Sequence, residues 1–149
     1  MIIREMGLGD LPHISQIEQD YPSPWALAQL SSELTYADGI SLVAEDESGI
    51  IIGWCSARFA APEAELLKIA VHHDRRGEGI AGLLLGHLLD ALSHKNVETL
   101  FLEVRSQNRS ALRFYRNHGF IQVGERPGYY ADPKDNALIF SKELLIADR

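Results

Sequence analysis

The sequence predicts a mixed α/β fold in which one mostly antiparallel central sheet is flanked by helices. Three observations lead there. Short apolar or alternating runs bounded by polar turns read as strands, and helical stripes interrupt them in no regular βα alternation. A polar turn, Asp46-Glu47-Ser48-Gly49, joins two strands as a hairpin, and two more strands close the chain around a second turn.

In chain order, Ile2 to Glu5 is a first strand, followed by a helix from Leu11 to Gln19 with Asp10 as N-cap and Pro12 in its first turn. Tyr21-Pro22-Ser23-Pro24-Trp25 breaks the chain, and a second helix then runs to about Leu34 with Ser23 as its cap. Strands follow at Ile40 to Glu45, Ile50 to Phe59 and Glu65 to Val71. From Gly79 to Leu92 the residues Ile80, Leu83, Leu84, Leu88, Ala91 and Leu92 recur at helical spacing and form one broad buried stripe. Thr99 to Val104 is a strand. Asn108 can cap a helix that reaches His118, where Gly119 takes the left-handed C-terminal position. Phe120 to Gly124 and Ala137 to Lys142 are the closing strands, around a long turn holding Pro127, Gly128 and Pro133.

The bulk composition restricts function. With 149 residues, 46% of them hydrophobic, the chain fits one domain, 1–149, able to bury its own core. Its apolar runs are too short to span a bilayer and its N-terminus lacks a signal peptide's layout, so a cytoplasmic protein without a membrane partner is expected. Cys55 is the sole cysteine, which agrees with a reducing compartment. A formal charge of −7 disfavours direct nucleic-acid binding and favours a cationic partner.

The segment Arg75-Arg76-Gly77-Glu78-Gly79-Ile80-Ala81-Gly82 lies between a strand and the strong helix. Free amides at that helix N-terminus, with Arg75 and Arg76 adding charge, suit a pyrophosphate; the alternative is an ordinary glycine turn. Gly77, Gly79 and Gly82 also spell G-x-G-x-x-G, with Glu103 about twenty residues on, as a dinucleotide site requires. Context rejects that match, because His72 to Arg76 separates the strand from the first glycine and too little chain follows Glu103 for a doubly wound fold.

Arg76 to Ala81 also fits Q/R-x-x-G-x-G/A, and Leu66 to Val71 precedes it as a strand. Further on, Asn108 to Phe120 fits N-x-x-A-x-x-x-Y-x-x-x-G-F. With these three segments in order, the chain resembles the GNAT family of N-acetyltransferases over nearly its whole length. Pro24-Trp25, Leu102-Glu103-Val104-Arg105 and Tyr129-Tyr130 make it most similar to the ribosomal-protein alanine N-acetyltransferases within that family. Gly128, where the subgroup carries asparagine, and a shortened Asp132-Pro133-Lys134 loop depart from the pattern.

The resemblance implies acetyl-coenzyme A as acetyl donor and a protein N-terminus, that of a ribosomal protein first, as acceptor. It implies a donor site made by Ile69, Ala70, Val71, Arg76, Gly77, Glu78, Gly79, Ile80, Ala81, Gly82 and Asn108. An α-amine with a pKa of about 7.7 to 8.0 is largely protonated at neutral pH, so a base is needed. The resemblance gives that role to Glu103, which by pattern alone is a strand carboxylate able to pair with Arg105. Tyr115 would protonate the departing thiolate, although its spacing with Ala111 and Leu112 also suits core packing. Free amides at Ile69 to Val71, released by a break in strand pairing, would hold the oxyanion. Asn108 caps its helix, bonds the pantetheine arm, or does both. Tyr129 and Tyr130 would wall the acceptor, or are sheet aromatics.

Cys55 sits among strand residues and reads as structural, which favours direct transfer in a ternary complex over an acetyl-enzyme. The histidines show no metal-ligand spacing, so no metal is expected. Two other readings stay open: a GNAT enzyme for a small amine or a lysine side chain, and a coenzyme A-binding module without catalysis.

Overall fold

The computed structural model describes residues 1–145. The strands are β1 (Ile2–Glu5), β2 (Gly39–Glu45), β3 (Ile51–Ala60), β4 (Glu63–Val71), β5 (Thr99–Arg105), β6 (Ile121–Ala131) and β7 (Lys134–Glu143). The α-helices are α1 (Leu11–Glu18), α2 (Leu27–Thr35), α3 (Ile80–Ser93) and α4 (Arg109–Asn117). The strands form one sheet in the order β1-β2-β3-β4-β5-β7-β6, antiparallel throughout except for β4 beside β5. This is the mixed, mostly antiparallel architecture expected.

Side-chain alternation assigns the two faces. On one, Leu84, Leu85, Leu88 and Leu92 of α3 and Leu112 and Tyr115 of α4 pack over Leu42, Cys55, Leu66, Leu100 and Leu102. Each buried leucine contributes about 1.5–3 kcal/mol relative to an exposed one, so α3 is held mainly by this stripe. On the other face, Ile14, Ile17 and Leu30 of α1 and α2 cover Val43, Trp54 and Ala70. That cover does not extend over β5. Leu100, Leu102 and Val104 are buried beneath α3 and α4, while Phe101, Glu103 and Arg105 alternate with them and are only half-buried on the side without a helix.

Three local expectations are corrected. Asp10 does not cap α1: it lies inside a continuous helical run, and its carboxylate accepts from Arg4 at 2.8 and 2.9 Å and from the Gly7 amide at 2.7 Å. Ser23 does not cap α2, which begins at Leu27 behind Ala26, with Gln29 Oε1 accepting the Ala26 amide at 2.8 Å. Pro24 disfavours helix at the residue before it, and buried Glu18 accepts the Trp25 amide at 3.0 Å, so the chain stays unwound that far.

The long turn near the C-terminus is instead a strand extension. β6 continues to Ala131 and β7 starts at Lys134, with Tyr130 opposite Asp135. Pro127 and Gly128 lie where the register shifts between Arg126 and Tyr130, and Gly128 has φ +64°. They mark a bulge in an edge strand, where proline's missing N–H is tolerated, and so do not end the strand. Among the described residues no helix is long and apolar enough to cross a membrane.

Candidate active site

β4 and β5 diverge. They pair only at Glu63–Thr99, Ala64–Leu100 and Glu65–Phe101. Beyond that, β4 carries an extra residue, Leu67, between its pairings to Ala57 and Ser56, and such a bulge bends a strand away from its neighbour. The result is a gap beside the C-terminal half of β4. His72 donates to Ile52 O at 2.8 Å, so by alternation Ala70 belongs to the β3 ladder while the peptide groups of Ile69 and Val71 face the gap. The expectation of free amides at all three positions is thereby narrowed. Val71 N–H donates to the Tyr21 hydroxyl at 3.0 Å, and that hydroxyl donates to Val71 O at 3.1 Å.

At the end of β4 the chain turns into α3 through Gly77 at φ +83° and Gly79 at φ +81°, the latter as N-cap. L side chains avoid this region, so the glycines permit the turn and leave the first amides of α3, at Ile80, Ala81 and Gly82, without helical partners. Exposed Arg76 donates to Val71 O at 3.4 Å and lies 5.0 Å from the Tyr21 ring. The expected second cation is spent elsewhere: Arg75 pairs with Asp46 at 3.2 Å and Glu78 at 3.0 Å. His72, His73 and Asp74 bring donor atoms within 4.8 Å of one another just before this turn, with His73 held by Asp20 at 2.7 Å. A Cβ on Gly82 would stand 3.2 Å from His118 Nε2, so this position also sets how closely α3 passes the end of α4.

From α4, Asn108 Oδ1 accepts the Ala111 amide at 3.2 Å, which establishes the cap. Asp135 braces the preceding turn by accepting from Ser106 Oγ and from the Gln107 amide at 3.2 Å; the Ser106 bond, foremost, lowers its pKa. Tyr115 is buried, with its ring edge-on to Phe114 and Phe120 at 5.3 and 5.5 Å. Burial pushes its phenol well above the usual range, and nearby Cys55 and Tyr21 add to the effect. Tyr21 also touches the backbone of the gap, so the two phenols share that region. Among the described residues no hydrogen bond engages the Tyr115 hydroxyl.

Glu103 lies on the helix-free face of β5, in the wall of a pocket of about 490 Å³ that also includes Tyr36, Arg58, Glu63, Glu65 and Arg126. Its partner is Arg126 of β6 at 3.5 Å, not Arg105. Arg105 is committed to the hairpin tip: it donates to Pro133 O at 2.7 Å and Asp132 O at 3.2 Å and stacks on Tyr130 at 4.1 Å. Tyr130 meets Tyr129 edge-on at 5.1 Å, and burial, then the Glu103 charge, raises its pKa. Arg58 in the same pocket is paired with Glu33. Sequence reasoning missed Arg126 because it treated that segment as a turn; strand alternation extended through Pro127 was the available signal.

A gap lined by backbone groups that β5 leaves unpaired, entered from a glycine turn with a cation and flanked by a capped helix, fits a long amide-bearing arm ending in phosphates. Comparison with known proteins agrees. The model of the acetyltransferase (GNAT) family matches residues 11–120.

The chain belongs to the GNAT acetyltransferase family.

As a GNAT protein it is an N-acetyltransferase whose acetyl donor is acetyl-coenzyme A. Among similar GNAT proteins, the [ribosomal protein bS18]-alanine N-acetyltransferase of Haemophilus influenzae is 34% identical, with 94% of this chain and 97% of that one aligned. The protein of the same name from Escherichia coli is 32% identical over 93% of this chain and 95% of its own. The crystal structure of the Escherichia coli enzyme superposes with a TM-score of 0.88 at 28% identity, covering 99% of this chain and 96% of that one.

Proposed function

We propose that this enzyme acetylates the N-terminal amine of a protein by direct transfer, with the N-terminal alanine of a ribosomal small-subunit protein as first acceptor. The observation that carries this reading is the position of Glu103, a carboxylate on the open face of β5 in a pocket whose arginines are already paired. Arg58 and Arg126 are neutralised by Glu33 and Glu103, while Glu63 and Glu65 have no ion pair among the described residues. An incoming ammonium group is favoured there. The names of the relatives support the acceptor.

In this scheme the amides at Gly77 to Gly82, including Glu78, Ile80 and Ala81, hold the donor's pyrophosphate together with Arg76. Asn108, whose Oδ1 caps α4, offers its side-chain NH₂ to the pantetheine arm. Glu103 takes the proton from the acceptor ammonium, directly or through water, and the freed lone pair forms the C–N bond. The Ile69 and Val71 amides receive the carbonyl oxygen as it becomes an oxyanion. As the C–S bond breaks, Tyr115 passes its proton to the sulfur, and the second proton that the nitrogen sheds as the amide forms restores the phenol through water; burial keeps that phenol protonated for the purpose. Tyr129 and Tyr130 flank the acceptor backbone.

The test is release of free coenzyme A with short peptides beginning in alanine, set against polyamines and lysine side chains. Peptides are expected to be the better acceptors, and acetylation should lie on the α-amine by mass spectrometry. Preferential turnover of polyamines or lysine would overturn the acceptor assignment, and donor binding without turnover of any amine would overturn catalysis.

A further inference from the structure

We propose that Tyr21 is a positioning residue that occupies the Val71 peptide until the acetyl donor takes it, so that donor binding resets the segment between α1 and α2. The inference rests on the assignment of the Val71 amide to the donor made above. A phenol both donates and accepts, and Tyr21 uses both capacities on one residue: its O–H donates to Val71 O at 3.1 Å and its oxygen accepts Val71 N–H at 3.0 Å. It thus fills, on the gap side of β4, the place a neighbouring strand would fill in a continuous sheet. A ligand whose carbonyl needs the Val71 amide must displace it.

The rest of the contact network connects this hydroxyl to the donor turn and to the buried anchor of the α1–α2 segment. Arg76 lies 5.0 Å from the Tyr21 ring and donates to the same Val71 carbonyl at 3.4 Å. A phosphate drawing Arg76 outward loosens Tyr21, because a charge-assisted bond to phosphate outweighs an exposed cation held over a half-buried ring. On the other side, Lys68 lies 4.8 Å from the Tyr21 ring and 3.3 Å from Glu18. Glu18 is fully buried and also accepts the Trp25 amide at 3.0 Å and Trp54 Nε1 at 3.1 Å. Trp25 packs edge-on to Trp54 at 5.4 Å. The segment is therefore pinned at Trp25 by a buried carboxylate and at Tyr21 by a contact that the donor replaces.

Tyr21→Phe keeps the ring and deletes only the hydroxyl. Calorimetric titration of acetyl-coenzyme A is expected to show about three- to tenfold tighter binding to the variant, the scale of one lost competing hydrogen bond. The free variant should melt at a lower temperature than the free wild type, because it has lost both bonds to Val71, yet gain more from saturating donor. A residue with a merely structural role would lower both melting temperature and donor affinity. The chain's 2 tryptophans, Trp25 and Trp54, report on the same segment, so acetyl-coenzyme A should change the emission of the wild type, with Tyr21→Phe starting nearer the donor-bound value. Equal or weaker donor binding by Tyr21→Phe would overturn the proposal for Tyr21 alone. Failure of both proteins to bind acetyl-coenzyme A would instead overturn the donor site from which it starts.

Discussion

The guanidinium of Arg126 lies 3.5 Å from the carboxylate of Glu103, reaching from β6 across β7 to β5 where the cover of α1 and α2 does not extend. The pair holds the proposed base at the pocket wall with a cation that is itself 55% exposed. Exposed pairs contribute at most about 1 kcal/mol, so Arg126→Ala should lower kcat/KM for an alanine peptide by less than about fivefold. Glu103→Gln should lower turnover at neutral pH by about a hundredfold or more. The deficit should shrink above about pH 8, where the free amine no longer needs a base. Initial rates of coenzyme A release across pH measure both effects, and wild-type turnover by Glu103→Gln at neutral pH would return that carboxylate to a structural role.

Tyr115→Phe removes the proposed acid and leaves the base. Its deficit, again about a hundredfold, should persist at high pH, because alkaline solvent does not supply a proton to the thiolate. Burial holds the Tyr115 phenol above its ordinary range, so the wild-type rate should show no loss from its ionisation at pH 10. Acetyl-coenzyme A affinity should change little, which calorimetry on the variant can check.

Gly79 sits at φ +81° with no heavy atom within 4 Å of where a Cβ would stand, so a substitution there acts through backbone strain and not through a clash. For a β-branched residue that strain is about 1–3 kcal/mol. Gly79→Val should therefore weaken acetyl-coenzyme A binding by about tenfold and lower the melting temperature, while Gly79→Asn, a residue that tolerates φ > 0, should do less. An unchanged donor affinity in Gly79→Val would mean that the phosphates bind elsewhere.

Cys55 is fully buried and its thiol is pushed up to about 12 by burial. It should resist thiol reagents in the folded protein, and Cys55→Ala should keep turnover within about twofold of wild type, because a cavity this small affects stability before chemistry. The pH dependence has a definite sign. Between the free thiol's value of about 8.5 and the folded value, the unfolded chain releases this proton and the folded chain keeps it, so stability falls as pH rises, by up to about 1.4 kcal/mol per unit. Urea melts at pH 8 and 10 should show a shallower loss in Cys55→Ala than in wild type.

Asp10 is the acid-side counterpart. Its bonds to Arg4, foremost, hold its carboxyl below the usual range. A lowered value contributes stability that is present above the unfolded pKa, about 3.9, and is lost as pH falls through the folded one. Asp10→Asn should cost about 1–3 kcal/mol at neutral pH, and the difference from wild type should close in acid. A constant difference down to pH 2 would mean that Asp10 acts through packing and not through charge.

Local periodicity and turn chemistry were enough to place α3, the β2–β3 hairpin, the cap at Asn108 and the glycine turn, since each depends on residues close in sequence. The order of motifs was enough for the family. Tertiary structure decided what depends on distant partners. Asp10 was diverted from capping by Arg4, the start of α2 was moved by Glu18, and β6 was carried through Pro127 by its pairing with β7. The same holds in the site: Arg75 was neutralised by Asp46, Glu103 was paired with Arg126, and Val71 was occupied by Tyr21, 50 positions away in the chain. A charge or a backbone group takes whichever partner the fold brings within about 3 Å, and sequence spacing carries no information about that distance.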